Sequence, residues 1–242
     1  MRRKRDPNER LIVALDFSTE SEALSLVELL FPDVRFFKVG LELFVASGPS
    51  VVSRVRATGA KVFLDLKLHD IPNTVKAAVS CAARLGAAII SLHLSVGREG
   101  LEAAVEGLRG ASPSTGEKPM LAGVTVLTSV GSEQADGTVG SVLDQVLRLA
   151  RLAKECGIDG IITSVREAAG VRRTLGDECV IITPGIRLSE SSDDQKRVGT
   201  VRDALVAGAD YLVVGRPISR ASSPRDATRI FLDEIAAFGS VD

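Results

Sequence analysis

Eight short apolar runs, each followed by a stretch with helix signals, constrain this chain more than any other feature. They are Leu11–Asp16, Phe36–Gly40, Lys61–Lys67, Ala88–His93, Leu121–Leu127, Gly160–Thr163, Val180–Thr183 and Tyr211–Gly215. Most are apolar without interruption, as parallel strands buried on both faces are. The segments between them open and close as helices do. Thr19 and Glu22 suit a capping box for a helix that stops before Pro32. Pro49 and Pro72 stand where a first helical residue belongs, and Gly59 and Gly86 where those helices should end. Val142, Leu143, Val146, Leu147, Ala150 and Ala153 form a stripe at helical spacing, and Ser223-Pro224 opens a last helix running toward Phe238. Eight strand–helix units in 242 residues fit an α/β fold, a single-domain (β/α)8 TIM barrel, whose usual length is about 250 residues. A doubly wound open sheet is the competing architecture. It normally has a glycine-rich turn after its first strand, and Asp16-Phe17-Ser18-Thr19-Glu20 contains no glycine. The barrel is expected over 11–242, behind a basic, disordered tail over 1–10, with 111–119 as a loop before the fifth strand.

Composition removes several function classes. Hydrophobic residues make up 45% of the chain, enough for a full core, while 30 basic and 31 acidic residues nearly cancel. No global field therefore recruits nucleic acid or an anionic membrane. No apolar stretch approaches the roughly 20 residues of a membrane span. Acidic and polar residues follow Met1-Arg2-Arg3-Lys4-Arg5 with no small-residue cleavage site, so a secretory signal is not expected. Cys81, Cys156 and Cys179 are odd in number and far apart, as reduced thiols of a cytoplasmic protein would be.

The charges interrupting the apolar runs are the chemical signal. Lys61-Val62-Phe63-Leu64-Asp65-Leu66-Lys67 alternates, so Phe63, Asp65 and Lys67 share one face. A carboxylate and an ammonium side by side on an apolar strand are costly to bury unless compensated. Taken alone they read equally well as a structural ion pair. Asp16 at the end of the first run and Lys38 within the second bring further charge to the same end of a parallel sheet, which makes a site the better reading. The last two runs exit through Thr183-Pro184-Gly185-Ile186-Arg187 and Val214-Gly215-Arg216-Pro217. Glycine lets backbone N–H groups approach an anion, arginine adds a fork of donors, and the loops after strands seven and eight are this fold's recurrent phosphate site. Tight turns without a ligand are the plainer alternative. His93 lies at a strand end, with His69 the only other histidine, and reads as a structural residue better than as a metal ligand.

Asp65-Leu66-Lys67-Leu68-His69-Asp70-Ile71-Pro72-Asn73-Thr74, with Val13-Ala14-Leu15-Asp16 and Gly215-Arg216-Pro217, resembles the signature of the orotidine 5′-phosphate decarboxylase family over essentially the whole chain. The resemblance implies cofactor-free decarboxylation of orotidine 5′-phosphate to UMP in de novo pyrimidine synthesis, with no metal. It implies that Lys67 is the proton donor within a charge network of Lys38, Asp65, Lys67 and Asp70. Asp16 and Lys38 would meet the ribose, and Thr128 and Ser129 the pyrimidine edge. Arg187, Gln195, Gly215 and Arg216 would surround the phosphate, and Pro184 would also touch the substrate. Asp70, Ile71 and Thr74 would reach into a neighbouring subunit's site, making a homodimer. The polar segment from Arg187 to Val198 is expected to act as a lid. Two alternatives stay open: a metal-dependent sugar-phosphate decarboxylase or aldolase of the same superfamily, and a non-catalytic phosphosugar-binding barrel.

Overall fold

In a computed structural model, which describes residues 6–113, 116–129, 141–188 and 198–239, all eight apolar runs are strands of one closed parallel barrel. They are β1 (Leu11–Ala14), β2 (Phe36–Gly40), β3 (Lys61–Leu68), β4 (Ile89–His93), β5 (Met120–Val124), β6 (Gly160–Ile162), β7 (Val180–Pro184) and β8 (Tyr211–Val214). Neighbours follow chain order, and the first strand closes on the last through Leu11↔Leu212, Ile12↔Val213 and Val13↔Val214. Helices lie between the strands, which is the (β/α)8 architecture expected from the run count.

Alternation along each strand sorts the residues into two apolar bodies. Outward residues such as Val13, Phe37, Val39, Val62 and Leu64 pack with the helices in a continuous shell. Inward residues form a second cluster that includes Ile12, Ala14, Phe36, Phe63, Val124, Ile162, Tyr211 and Val213. Phe36 and Tyr211 meet edge to face at 5.5 Å, and the Lys61 ammonium lies 5.4 Å from the Phe36 ring centroid. Because these residues sit at the start of their strands, they plug the bottom of the barrel. Each large side chain buried in this way contributes about 1.5–3 kcal/mol.

The helices follow their sequence signals closely. Thr19 caps the helix Glu20–Leu30, accepting a bond from the Glu22 N–H. Pro72 is the first residue of Pro72–Arg84, whereas Pro49 stands one position ahead of Ser50–Ala57 as its N-cap. The stripe on Val142–Glu155 buries Val146, Ala150 and Ala153, and the helix opens on a Ser141–Asp144 capping box. An additional helix, Leu41–Ser47, follows β2 directly.

The bottom of the barrel is fastened by ionic contacts. Arg172 Nη2 donates to Asp210 Oδ2 at 2.6 Å and to the Gly208 carbonyl at 2.8 Å, while Asp210 Oδ2 also accepts from the Ile181 N–H. This ties the chain entering β7 to the chain entering β8. Pro7–Arg10 forms a helical turn, and Arg10 donates to the Ala209 carbonyl at 2.9 Å. Residues 1–5 lie outside the described residues. No helix among the described residues is long and apolar enough to cross a membrane.

Candidate active site

Above Ala14, Phe63, Val124, Ile162 and Val213, the inward positions change from apolar to charged. These five residues line the apolar part of a cavity of about 410 Å³ at the C-terminal ends of the strands. Asp16, Lys38, Asp65 and Lys67 form one part of its wall, and Pro184, Gly185, Arg187, Gly215 and Arg216 another. Strand order places β3 diametrically across the barrel from β7, so Asp65 and Lys67 face the exit that carries Arg187, while Gly215 and Arg216 follow β8, the neighbour of β1.

Within the cluster each charge is compensated. Lys38 Nζ lies 2.9 Å from Asp16 Oδ1 and 3.7 Å from Asp65 Oδ2, and Lys67 Nζ lies 2.8 Å from that same Asp65 oxygen. The other Asp65 oxygen, Oδ1, accepts from Ser91 Oγ at 2.9 Å. Asp65 is only 7% exposed, and burial works against its negative charge. Lys38, Lys67 and the Ser91 hydroxyl outweigh that effect and hold its pKa below the usual carboxylate range. Burial likewise opposes the Lys38 charge, but Asp65 and Asp16 prevail and hold the ammonium above its ordinary value. Both groups are therefore ionised at neutral pH.

Local backbone features produce this convergence. Between Leu64 and Leu68 the register of β3 against β4 shifts, and within that shift Lys67 adopts φ of 51°, the left-handed region that non-glycine residues rarely occupy. Gly215 supplies close approach, because a Cβ there would stand 3.3 Å from Asp16 Oδ2. At the far exit, Ile186–Arg187 pairs in parallel with Gly199–Thr200, joining the two ends of the segment between them.

The remaining expected site residues divide into three groups. Thr128 lines the cavity, while its neighbour Ser129 is exposed and lies outside the cavity wall. Asp70, Ile71 and Thr74 are exposed and do not line this chain's own cavity. Asp70 Oδ1 instead accepts the Ile71 N–H at 2.7 Å. Gln195 and most of the expected lid fall on 189–197, outside the described residues. Sequence reasoning passed over Ser91, Glu42, Val126 and Arg220. The last three line the cavity, and Ser91 lies beneath it, bonded to Asp65. The β3–β4 pairing also brings His69 and His93 together, with ring centroids 5.5 Å apart. Burial, then His69 and Lys67, lower the pKa of His93 and favour its neutral form.

Fold and site together define a single-domain (β/α)8 barrel with a charged cavity at the end of the strands where such barrels carry their chemistry. Within that class, the chain belongs to the orotidine 5′-phosphate decarboxylase / HUMPS family, whose model matches residues 9–231. It is 45% identical over 234 residues to the orotidine 5′-phosphate decarboxylase of Saccharophagus degradans, covering 96% of this chain and 95% of that protein. It is 46% identical over 231 residues to the Chromobacterium violaceum protein of the same name, covering 94% and 92%. Among solved structures, orotidine 5′-phosphate decarboxylase from Lactobacillus acidophilus superposes with a TM-score of 0.83 at 35% identity, covering 94% of this chain and 99% of that one.

Proposed function

We propose that this chain is a carboxy-lyase that converts orotidine 5′-phosphate to UMP and carbon dioxide, the last step of de novo pyrimidine synthesis. The observation that carries the reading is Asp65 held between Lys38 and Lys67 in a cavity that Arg187 and Arg216 also line. The carboxylate at C6 leaves as carbon dioxide when its bond to C6 breaks, and the electron pair stays on C6. That carbon has no adjacent carbonyl to delocalise the pair, so stabilisation has to be electrostatic. The Lys67 ammonium favours the developing carbanion and then donates its proton to C6. Being fixed by Asp65 before the substrate arrives, it needs little reorganisation during the reaction. Asp65 would also repel the substrate carboxylate and so raise the energy of the bound ground state. Lys38 and Asp16 would hold the ribose, and Thr128 with Ser129 the pyrimidine edge. Arg187, Gln195, Gly215 and Arg216 would hold the phosphate, whose binding energy serves to position the distant reacting carbon.

The functional unit of this proposal is a homodimer in a reducing, cytoplasmic compartment. Asp70, Ile71 and Thr74 lie away from their own chain's cavity, as residues serving a neighbouring subunit would. The segments after the adjacent strands β2 and β3 also expose Leu41, Val45 and Ile71, apolar surface suited to a partner copy. The matched family also includes the HUMPS members, so a metal-dependent sugar-phosphate reaction is the second reading. Against it, both Asp65 oxygens already have partners, two ammonium groups on Oδ2 and a hydroxyl on Oδ1. Following the pyrimidine absorbance of orotidine 5′-phosphate with and without EDTA tests the choice. Turnover is expected to persist in the chelator. Activity lost in EDTA and regained with magnesium would transfer the assignment to the second reading.

A further inference from the structure

We infer that Ser91 is a positioning residue for Lys67, an inference that rests on the decarboxylase reading above. Ser91 sits in the middle of β4, is fully buried, and does not line the cavity. Its hydroxyl makes two bonds of opposite sense. It accepts the Lys67 backbone N–H at 2.9 Å and donates to Asp65 Oδ1 at 2.9 Å. The directions follow from chemistry, since an N–H can only donate and an ionised carboxylate can only accept. One oxygen therefore joins the backbone that carries the ammonium to the carboxylate that orients it.

The bulge explains why such a residue is needed. β3 and β4 pair at Phe63↔Ile89 and Leu64↔Ile90, and next at Leu68↔Leu92. Four residues of β3 thus advance against two of β4, so the excess residues lose their regular partners on the ladder. Lys67 lies within that excess at φ of 51°, where a β-carbon is strained. Such a conformation persists only where its surroundings impose it, and the Ser91 hydroxyl is the group bonded to the Lys67 N–H. Without it the chain around Lys67 can relax toward an extended conformation, which redirects the side chain and moves Nζ off the reacting carbon.

Ser91→Ala removes both bonds with the loss of one oxygen atom. The expected result is a fall in kcat of about 10- to 100-fold, the scale of a small misplacement of a reacting group. KM for orotidine 5′-phosphate and Kd for UMP should stay within about three-fold, because cavity-lining groups are untouched. The acid limb of the kcat/KM profile should move to higher pH, since Asp65 loses a donor that favours its charged form. Ser91→Thr keeps the hydroxyl and should recover most of kcat. If Ser91→Ala does not fold, Ser91→Cys, of similar size with a weaker donor, is read in the same way. Wild-type kcat in the variant overturns the inference. So does a parallel loss of kcat, UMP affinity and Tm, which would make Ser91 merely structural, or a stable Ser91→Thr that regains nothing. A crystal structure of Ser91→Ala reports independently of turnover: φ at residue 67 leaving the left-handed region supports the inference, and retained φ with Nζ in place overturns it. A wild-type chain that leaves orotidine 5′-phosphate intact sinks the decarboxylase reading alone, and that crystal structure still decides the role of Ser91.

Discussion

In the proposed mechanism Lys67 concentrates the chemistry of the site in one side chain, on a backbone with φ of 51°. Replacing it by alanine should abolish turnover while UMP binding falls much less, because the ammonium matters most when charge develops on the carbon. Single-turnover assays beside calorimetric titration of UMP check this, and near-wild-type turnover would remove Lys67 from the mechanism. Arg216 should act on a different part of the ligand. Arg216→Ala is expected to weaken UMP by about 1.5–3 kcal/mol, the scale of a charge-assisted contact, and to leave uridine almost unaffected. Equal weakening of both ligands would give Arg216 a structural task instead. The pKa directions at Asp65 and Lys38 fix how the cluster contributes to stability. Asp65 is lowered, so its contribution is present above its unfolded pKa of about 3.9 and is lost as pH falls through the folded value. Lys38 is raised, so its contribution is present below about 10.4 and is lost as pH rises through the folded value. Asp65→Asn should therefore cost about 3 kcal/mol at neutral pH, and the gap should narrow below about pH 4. Chemical denaturation across that range measures it, and a pH-independent gap would mean packing alone holds Asp65.

Strands were the most legible elements because an uninterrupted apolar run of the right length has few other uses. All eight runs hold their places in the barrel, although β3 continues to Leu68 through a bulge that simple alternation does not encode. Leu41–Ser47 carries no capping signal, since it starts directly from the last residue of β2, Gly40, without a side-chain cap bond. Within the site, Asp16, Lys38, Asp65 and Lys67 were legible as charges breaking apolar patterns. Ser91 was not, because a small hydroxyl within a strand has no spacing signature and its importance comes from the neighbouring strand. The proximity of His69 and His93 was likewise not legible, because pairing between strands is invisible to position along the chain. Helix packing offers its own test. Pro72–Arg84 and Gly97–Arg109 approach so closely that a Cβ on Gly107 would lie 2.3 Å from the Lys76 carbonyl oxygen. Gly107→Ala should destabilise by about 1–3 kcal/mol, the cost of overpacking against rigid backbone. Gly110→Ala, whose nearest neighbour would be 3.6 Å away, should change stability far less. Denaturant titration of the pair decides, and equal stability would mean the helices can separate without cost.

At the scale of the whole molecule, the two ends of the barrel have different tasks. Arg172 and Arg10 hold the bottom by donating to backbone carbonyls, and Asp210 by accepting from Arg172 and the Ile181 N–H, while the mouth collects groups whose charges oppose burial. The proposed dimer adds a prediction at this scale. If Asp70 acts in trans, mixing inactive Asp70→Ala and Lys67→Ala subunits should regenerate about one intact site per heterodimer, as two-fold symmetry requires. No recovery after mass spectrometry has confirmed subunit exchange would mean that each chain completes its own site.

The closure of β1 on β8 also sets a timetable for the newborn polypeptide. Asp16 and Gly215 become neighbours only when the first strand and the last zip together, and the cavity wall draws on residues from Ala14 to Arg220. Joining segments so distant in sequence carries a large loop-closure cost, and such pairings form late. During translation, a ribosome-tethered chain lacking the final strand can fold several strand–helix units yet has no complete ligand cavity. Nucleotide-dependent protease protection of stalled chains should therefore switch on only once Arg216 has cleared the exit tunnel, which would make ligand capture a timer for the last step of folding.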